Sequence, residues 1–127
     1  MDPVNITLVL LVVAGAVALF ALWLLPSQSI VFATAMLAVI GVSGSTFPVL
    51  IAHAKAVFPA HLTGRGVTLM NLFGIGGVGV MQFATGPIYL ASQTDTPSDA
   101  FSALFGVFAI IVTLGLLAYL WSADRTD

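Results

Sequence analysis

Apolar residues fall into four long runs along this chain, at 6–25, 30–52, 66–91 and 101–121. Each run holds about 20 residues or more, and at ~1.5 Å per residue a helix of that length crosses a ~30 Å hydrocarbon slab. Three basic and five acidic residues are the only formal charges, and none lies inside a run. Lipid offers no partner for backbone N–H groups, and the runs lack the period-2 alternation of a membrane barrel, so helices are the credible spans. The pattern predicts an all-α integral membrane protein: one membrane region over 1–127 with four transmembrane helices, a loop at 53–65, a loop at 92–100 and a tail at 122–127.

The first run reads as a retained helix and not as a cleaved leader. Asp2 is acidic where a basic segment is expected, and 20 apolar residues are too many for a leader's core. Asn5-Ile6-Thr7 matches a glycosylation sequon, but it abuts the expected membrane and is set aside.

The positions of the cations give a topology. Lys55 and Arg65 lie in the second connection and Arg125 in the tail, while the first and third connections contain no Lys or Arg. Four spans put the second connection and both termini on one side, and the positive-inside rule makes that side cytoplasmic. Residues 53–65 and 122–127 are then cytoplasmic, and 92–100, with Asp95 and Asp99, is the outer loop. Trp23 and Trp121 lie near run ends, where indole rings favour the interface. The expected location is the cell's inner or plasma membrane.

Two runs are bland and two are not. The first has only Thr7 as an interior polar side chain, and the fourth has Ser102 and Thr113. Such helices can face lipid over much of their surface. In the second, Thr34, Ala38, Gly41, Ser45, Pro48 and Ala52 recur every three or four residues and share one small, weakly polar helical face. Such a face permits close helix approach or lines a cavity. Pro48 removes a backbone hydrogen bond and invites a kink.

The third run carries the strongest signal. Thr68, Asn71, Ile75, Val78, Gln82, Thr85 and Tyr89 form a stripe at alternating spacings of three and four. An unpartnered amide in hydrocarbon costs several kcal/mol on apolar transfer scales, so Asn71 and Gln82 are expected to face protein or water. Asn71, Gln82, Thr68, Thr85 and Ser45 are the candidate cavity or interhelix contacts. Gly86-Pro87 is expected to bend or break the outer end of this helix.

Composition then removes several chemistries. Sixty per cent of residues are hydrophobic and 6% charged, far too few charges to cover a soluble domain. Three cations rule out a nucleic-acid footprint. Without cysteine there is no disulfide, thiol catalysis or thiolate metal site. His53 and His61 lack nearby ligands and make a poor metal site. The Asp residues lie in the termini or the third connection, so no Ser-His-Asp set is plausible and no enzyme activity or cofactor is expected. Gly74-Ile75-Gly76-Gly77-Val78-Gly79 matches G-x-G-x-x-G, but no strand precedes it and no acidic residue follows at the ribose spacing. Those glycines are read as letting helices pack closely or flex.

The stretch from Phe47 to Tyr89 resembles the major facilitator superfamily of secondary transporters. The residues that carry the resemblance are Phe58-Pro59-Ala60-His61-Leu62-Thr63-Gly64-Arg65-Gly66, then Thr68, Asn71, the glycine cluster at 74–79, Gln82 and Gly86-Pro87. They look like the family's cytoplasmic loop between its tenth and eleventh helices and the glycine-rich helix after it. The resemblance implies an MFS-type helical bundle, with the four runs as helices nine to twelve of twelve. It implies that the remaining helices, which carry most of the substrate site, are supplied by another segment or chain. It also implies that Arg65 and Lys55 help hold the cytoplasmic loop against neighbouring helices or carboxylates; the plainer reading makes them topology anchors.

Three functions compete. The first is the C-terminal portion of an alternating-access transporter of a small solute, incompetent alone. The second is a non-transporting four-helix subunit that binds other membrane helices. The third is a small multidrug-type exporter acting as a dimer, but such proteins use a membrane-buried Glu and this chain has no Glu. The expected partners are the lipid bilayer and further membrane helices.

Overall fold

The computed structural model describes residues 3–25 and 29–121. They form five helices: α1 Pro3–Leu24, α2 Ile30–Gly44, α3 Thr46–Val57, α4 Thr63–Ala91 and α5 Pro97–Trp121. No strand occurs among the described residues. α2 and α3 together make one apolar unit, so the helices form four units long and apolar enough to cross a membrane. The tail at 122–127, with Arg125, lies outside the described residues, as does Asp2.

The second run divides at Ser45, and the cause lies three residues further on. Pro48 has no N–H to offer the carbonyl of Gly44, and its ring crowds that carbonyl. Hydroxyl groups take up the disturbed backbone around the break. Ser45 Oγ donates to Val42 O at 2.6 Å and Thr46 Oγ1 donates to Ser43 O at 2.8 Å. Helix resumes at once and continues to Val57, so the turn before α4 is only residues 58–62. His53 and Lys55, read from sequence as loop, therefore lie in α3, and Arg65 lies in the first turn of α4. Pro87 does not break α4, which runs through it to Ala91.

Interhelix contacts define an antiparallel bundle. Tyr119 Oη donates to Asn5 Oδ1 at 3.2 Å, joining the start of α1 to the end of α5. Ser102 Oγ donates to Trp23 O at 2.6 Å, joining the end of α1 to the start of α5. Ser43 Oγ donates to Leu11 O at 2.7 Å, joining α2 to α1.

α1 is the hub of this arrangement, packed against α2, α3 and α5. It buries Asn5, Leu8, Gly15, Ala16, Ala18, Leu19 and Leu22. The bland first run thus packs within the chain along one side and keeps residues such as Leu10 and Val17 exposed on another. Its small residues are the reason: a Cβ on Gly15 would stand 2.7 Å from Ser43 Oγ, so only glycine lets α2 approach as it does. On α5, Gly106 receives the Trp23 indole in the same way, with a built Cβ 2.7 Å from the ring. Trp23 is thereby turned into the bundle, whereas Trp121 is 86% exposed.

α5 begins with a capping arrangement. Pro97 follows Thr96 as the first helical residue, a position where its missing N–H removes nothing. Asp99 accepts hydrogen bonds from Thr94 Oγ1 at 2.5 Å and Thr96 Oγ1 at 2.9 Å, and its charge favours the helix N-terminus.

The outer surface is strongly apolar. Ile30, Phe73 and Phe83 are each at least 74% exposed. Large contiguous apolar surface of this kind is rare on soluble monomers and suits a lipid surround.

Candidate functional site

The site singled out by sequence is α4, and α4 is the least covered of the long helices. It packs on α3 near its start and on α5, and makes no substantial contact with the α1 hub. Gly66 is its only buried residue.

Two aromatic side chains of the preceding segment seat its first half. Phe58 lies over Gly66, where a built Cβ would fall 2.6 Å from the ring. Pro59 turns the chain between them, its carbonyl accepting from Leu62 N at 2.8 Å. The Phe-Pro and Arg-Gly pairs noted in the sequence thus belong to one packed corner. Phe47 fills the space beside Gly74 in the same manner. At the far end Tyr89 meets Phe101 of α5, ring centroids 5.2 Å apart at 63°.

Beyond these contacts the helix is open. Built Cβ atoms at Gly76, Gly77, Gly79 and Gly86 meet nothing within 4 Å. Between α4 and α5 lies an open crevice of about 990 Å³, lined by Gln82 and Thr85 among apolar residues that include Phe73, Val80, Met81 and Phe108. Thr85 Oγ1 donates to Gln82 O at 2.8 Å, a bond within its own helix.

The candidate residues are not gathered into one place. Gln82 and Thr85 share the α4–α5 crevice. Thr68 and Arg65 share a separate groove of about 560 Å³ with His61, and Thr68 Oγ1 donates to Gly64 O at 2.9 Å. Asn71 is half-buried on α4 and lines neither space. Ser45 is at the α2–α3 break, beside a shallow groove shared with Thr7 and Thr46. Lys55 and Arg65 are both exposed. No cluster of His, Cys or acidic residues suited to a metal occurs among the described residues.

The small face of α2 and α3 is open too. Thr34, Ala38, Gly41, Ser45, Pro48 and Ala52 are all exposed, and a Cβ on Gly41 would meet nothing within 4 Å. The hub-facing side is instead partly buried at Phe32, Met36, Val39 and Ser43. The small face of α2 and α3 is thus left uncovered by this chain, and the α4 stripe is covered only in part, with Asn71, Thr85 and Tyr89 half-buried.

The polar pair of buried Asn5 and half-buried Tyr119 was missed. Asn5 is 1% exposed and bonded to Tyr119, yet it sits one residue ahead of the first apolar run and carried only a sequon reading. An amide at the mouth of an apolar run was the available signal.

Compared with known proteins, the chain matches no family model, no curated sequence and no solved structure.

Proposed function

We propose that this chain is part of a transmembrane transporter of small solutes that moves its cargo by alternating access. Further helices would seat on the open faces of α4 and α2–α3. The observation that carries the reading is the position of the amides. Gln82 is exposed and Asn71 half-buried on a helix that only α3 and α5 touch, while the apolar α1 packs against α2, α3 and α5. In a bilayer an amide left facing hydrocarbon is unfavourable by several kcal/mol on apolar transfer scales. Contact with another helix or with a water-filled path removes that cost. The resemblance of the Phe58–Pro59 corner and the glycine-rich helix to a major facilitator gives the reading its transport chemistry. It is an analogy of sequence pattern.

On this reading the membrane is the plasma membrane and both termini are cytoplasmic. Support comes from Lys55 and Arg65, which lie near the end of the bundle where α1 begins and α5 ends. No enzymatic step is involved. The chain alone carries no solute.

A non-transporting interaction subunit is the second reading, and the lining of the α4–α5 crevice favours it. Apart from Gln82 and Thr85, its walls are apolar or glycine, better suited to a helix than to a hydrated solute.

The test begins by capturing the partner with the tagged chain from its native membrane. Asn71→Leu and Gln82→Leu, singly and together, are expected to reduce co-purification of other membrane helices. Unchanged assembly in the double variant would sink both readings. The captured complex is then reconstituted into vesicles. Solute uptake supports the transporter, assembly without uptake supports the subunit, and uptake by the purified chain alone refutes dependence on a partner.

A further inference from the structure

We propose that the groove at the start of α4 binds an anionic phospholipid, its phosphate at Arg65 and His61 and an acyl chain along Leu69 and Leu72. The groove holds about 560 Å³ and is lined by residues of one helix and the turn before it. Its polarity changes in order along the chain: His61 and Arg65, then Thr68, then Leu69 and Leu72. From Arg65 to Leu72 the helix rises by about 10 Å at ~1.5 Å per residue, comparable to the depth from a lipid phosphate into the upper acyl region. Leu69 and Leu72 are 53% and 65% exposed, so the apolar part is free to take a chain.

Two features fix the occupant as a lipid and its charge as negative. Leu72 lines both this groove and the α4–α5 crevice, so an apolar track continues beyond it past Phe73, Gly76 and Val80. A free phosphate would use only the polar end of such a track. At the polar end, Arg65 offers five fixed N–H donors suited to a phosphate, and His61 adds ring nitrogens. α4 has no acidic residue in its first turn to occupy the guanidinium. Thr68 already donates its proton to Gly64 O, so its oxygen is left as an acceptor and the phosphate falls to Arg65 and His61. This inference concerns the membrane surface at the base of α4 and does not depend on what the larger assembly transports.

The full-length chain in detergent is titrated with dioleoylphosphatidylglycerol and, separately, dioleoylphosphatidylcholine, with bound lipid counted by native mass spectrometry. Phosphatidylglycerol is expected to bind several-fold more tightly. A basic residue near an anionic lipid surface contributes ~1 kcal/mol, so Arg65→Gln is expected to reduce the preference about 5-fold. Lys55→Gln is the control, since Lys55 lies outside the groove, and is expected to leave the preference largely unchanged. Leu72→Ser is expected to weaken both lipids together. Arg65→Lys retains the charge and supports the assignment if it restores most of the preference. Equal binding of the two lipids by the native chain would overturn the proposal. Equal losses in Arg65→Gln and Lys55→Gln would also overturn it, by showing a diffuse surface charge. So would competition by inorganic phosphate at concentrations that leave phosphatidylcholine unaffected, since the site would then hold the headgroup anion alone.

Discussion

Replacing Gly15 by Ala tests whether close approach of α1 and α2 holds the bundle together. The new Cβ would stand 2.7 Å from Ser43 Oγ and 2.8 Å from Ser43 Cβ. Rotating Ser43 about χ1 moves the oxygen but leaves its Cβ in place. Carbon atoms prefer ~3.5–4.0 Å, so the helices must part by roughly 0.7–1.2 Å at this level. That displacement stretches the 2.7 Å bond from Ser43 Oγ to Leu11 O. Overpacking of this type costs about 1–3 kcal/mol. An interhelical hydrogen bond adds ~0.6 kcal/mol on average within a membrane. Alanine's better helix propensity offsets about 0.8–1.0 kcal/mol. The expected outcome is a net loss of about 0.6–2.8 kcal/mol, read by reversible unfolding in mixed micelles with circular dichroism. Gly77→Ala is the matched control, because its Cβ meets nothing within 4 Å and only the propensity gain of up to ~1 kcal/mol remains. Adding Ser43→Gly to Gly15→Ala removes both obstructing atoms and should recover the packing part of the loss. If Gly15→Ala were as stable as the native chain, or responded as Gly77→Ala does, the close-approach argument would be wrong.

Two further outcomes follow from the fold. Tyr119→Phe deletes the hydroxyl that donates to buried Asn5 and should lower stability by about 0.6–1.7 kcal/mol in the same assay, with no change in helix content; an unaltered midpoint would show that this bond does not hold the ends of α1 and α5 together. Pro48→Ala restores an N–H opposite the carbonyl of Gly44 and should join α2 to α3 as one straight helix; spin labels at residues 37 and 54 would then report a longer and narrower distance distribution, and an unchanged distribution would assign the break to the hydroxyl bonds of Ser45 and Thr46 instead.

Hydropathy made the long helices legible, because a span must be apolar over a fixed length whatever it packs against. It placed the start of the second unit at Ile30 and the end of the last at Trp121, and it failed where the rule is silent. α3 runs on past the apolar run through His53 and Lys55, since a helix emerging from an apolar run has no reason to stop until Pro59. Which side of a helix meets its neighbours was harder to read. Lipid tails are as apolar as leucine, so burial inside a bundle leaves no hydrophobic stripe. That is why α1, the blandest run, is the hub. The useful signal was shape: Gly15 and Gly106 mark contacts made within this chain, and Gly76, Gly77 and Gly79 mark surface it leaves open. Nothing in the spacing of glycines separates the two cases. The candidate stripe was legible as a face of one helix, and the structure keeps it as a face. Gln82 meets only apolar side chains of α5 across the crevice, and neither Asn71 nor Gln82 converges with side chains from α1, because α4 stands apart from the hub.

The bond between Asn5 and Tyr119 also has a consequence for biosynthesis. Its two partners are 114 residues apart, so α1 leaves the ribosome well before α5 is made and can meet it. At ~5–20 residues per second, that interval is on the order of ten seconds. Throughout it the Tyr119 hydroxyl is not yet available to Asn5. α1 and α2 can pair early through Gly15 and Ser43, which gives the nascent chain a first hairpin. The hub is completed only when α5 is made, and a nascent chain cut short before Ser102 would leave α1 without its packing against α5.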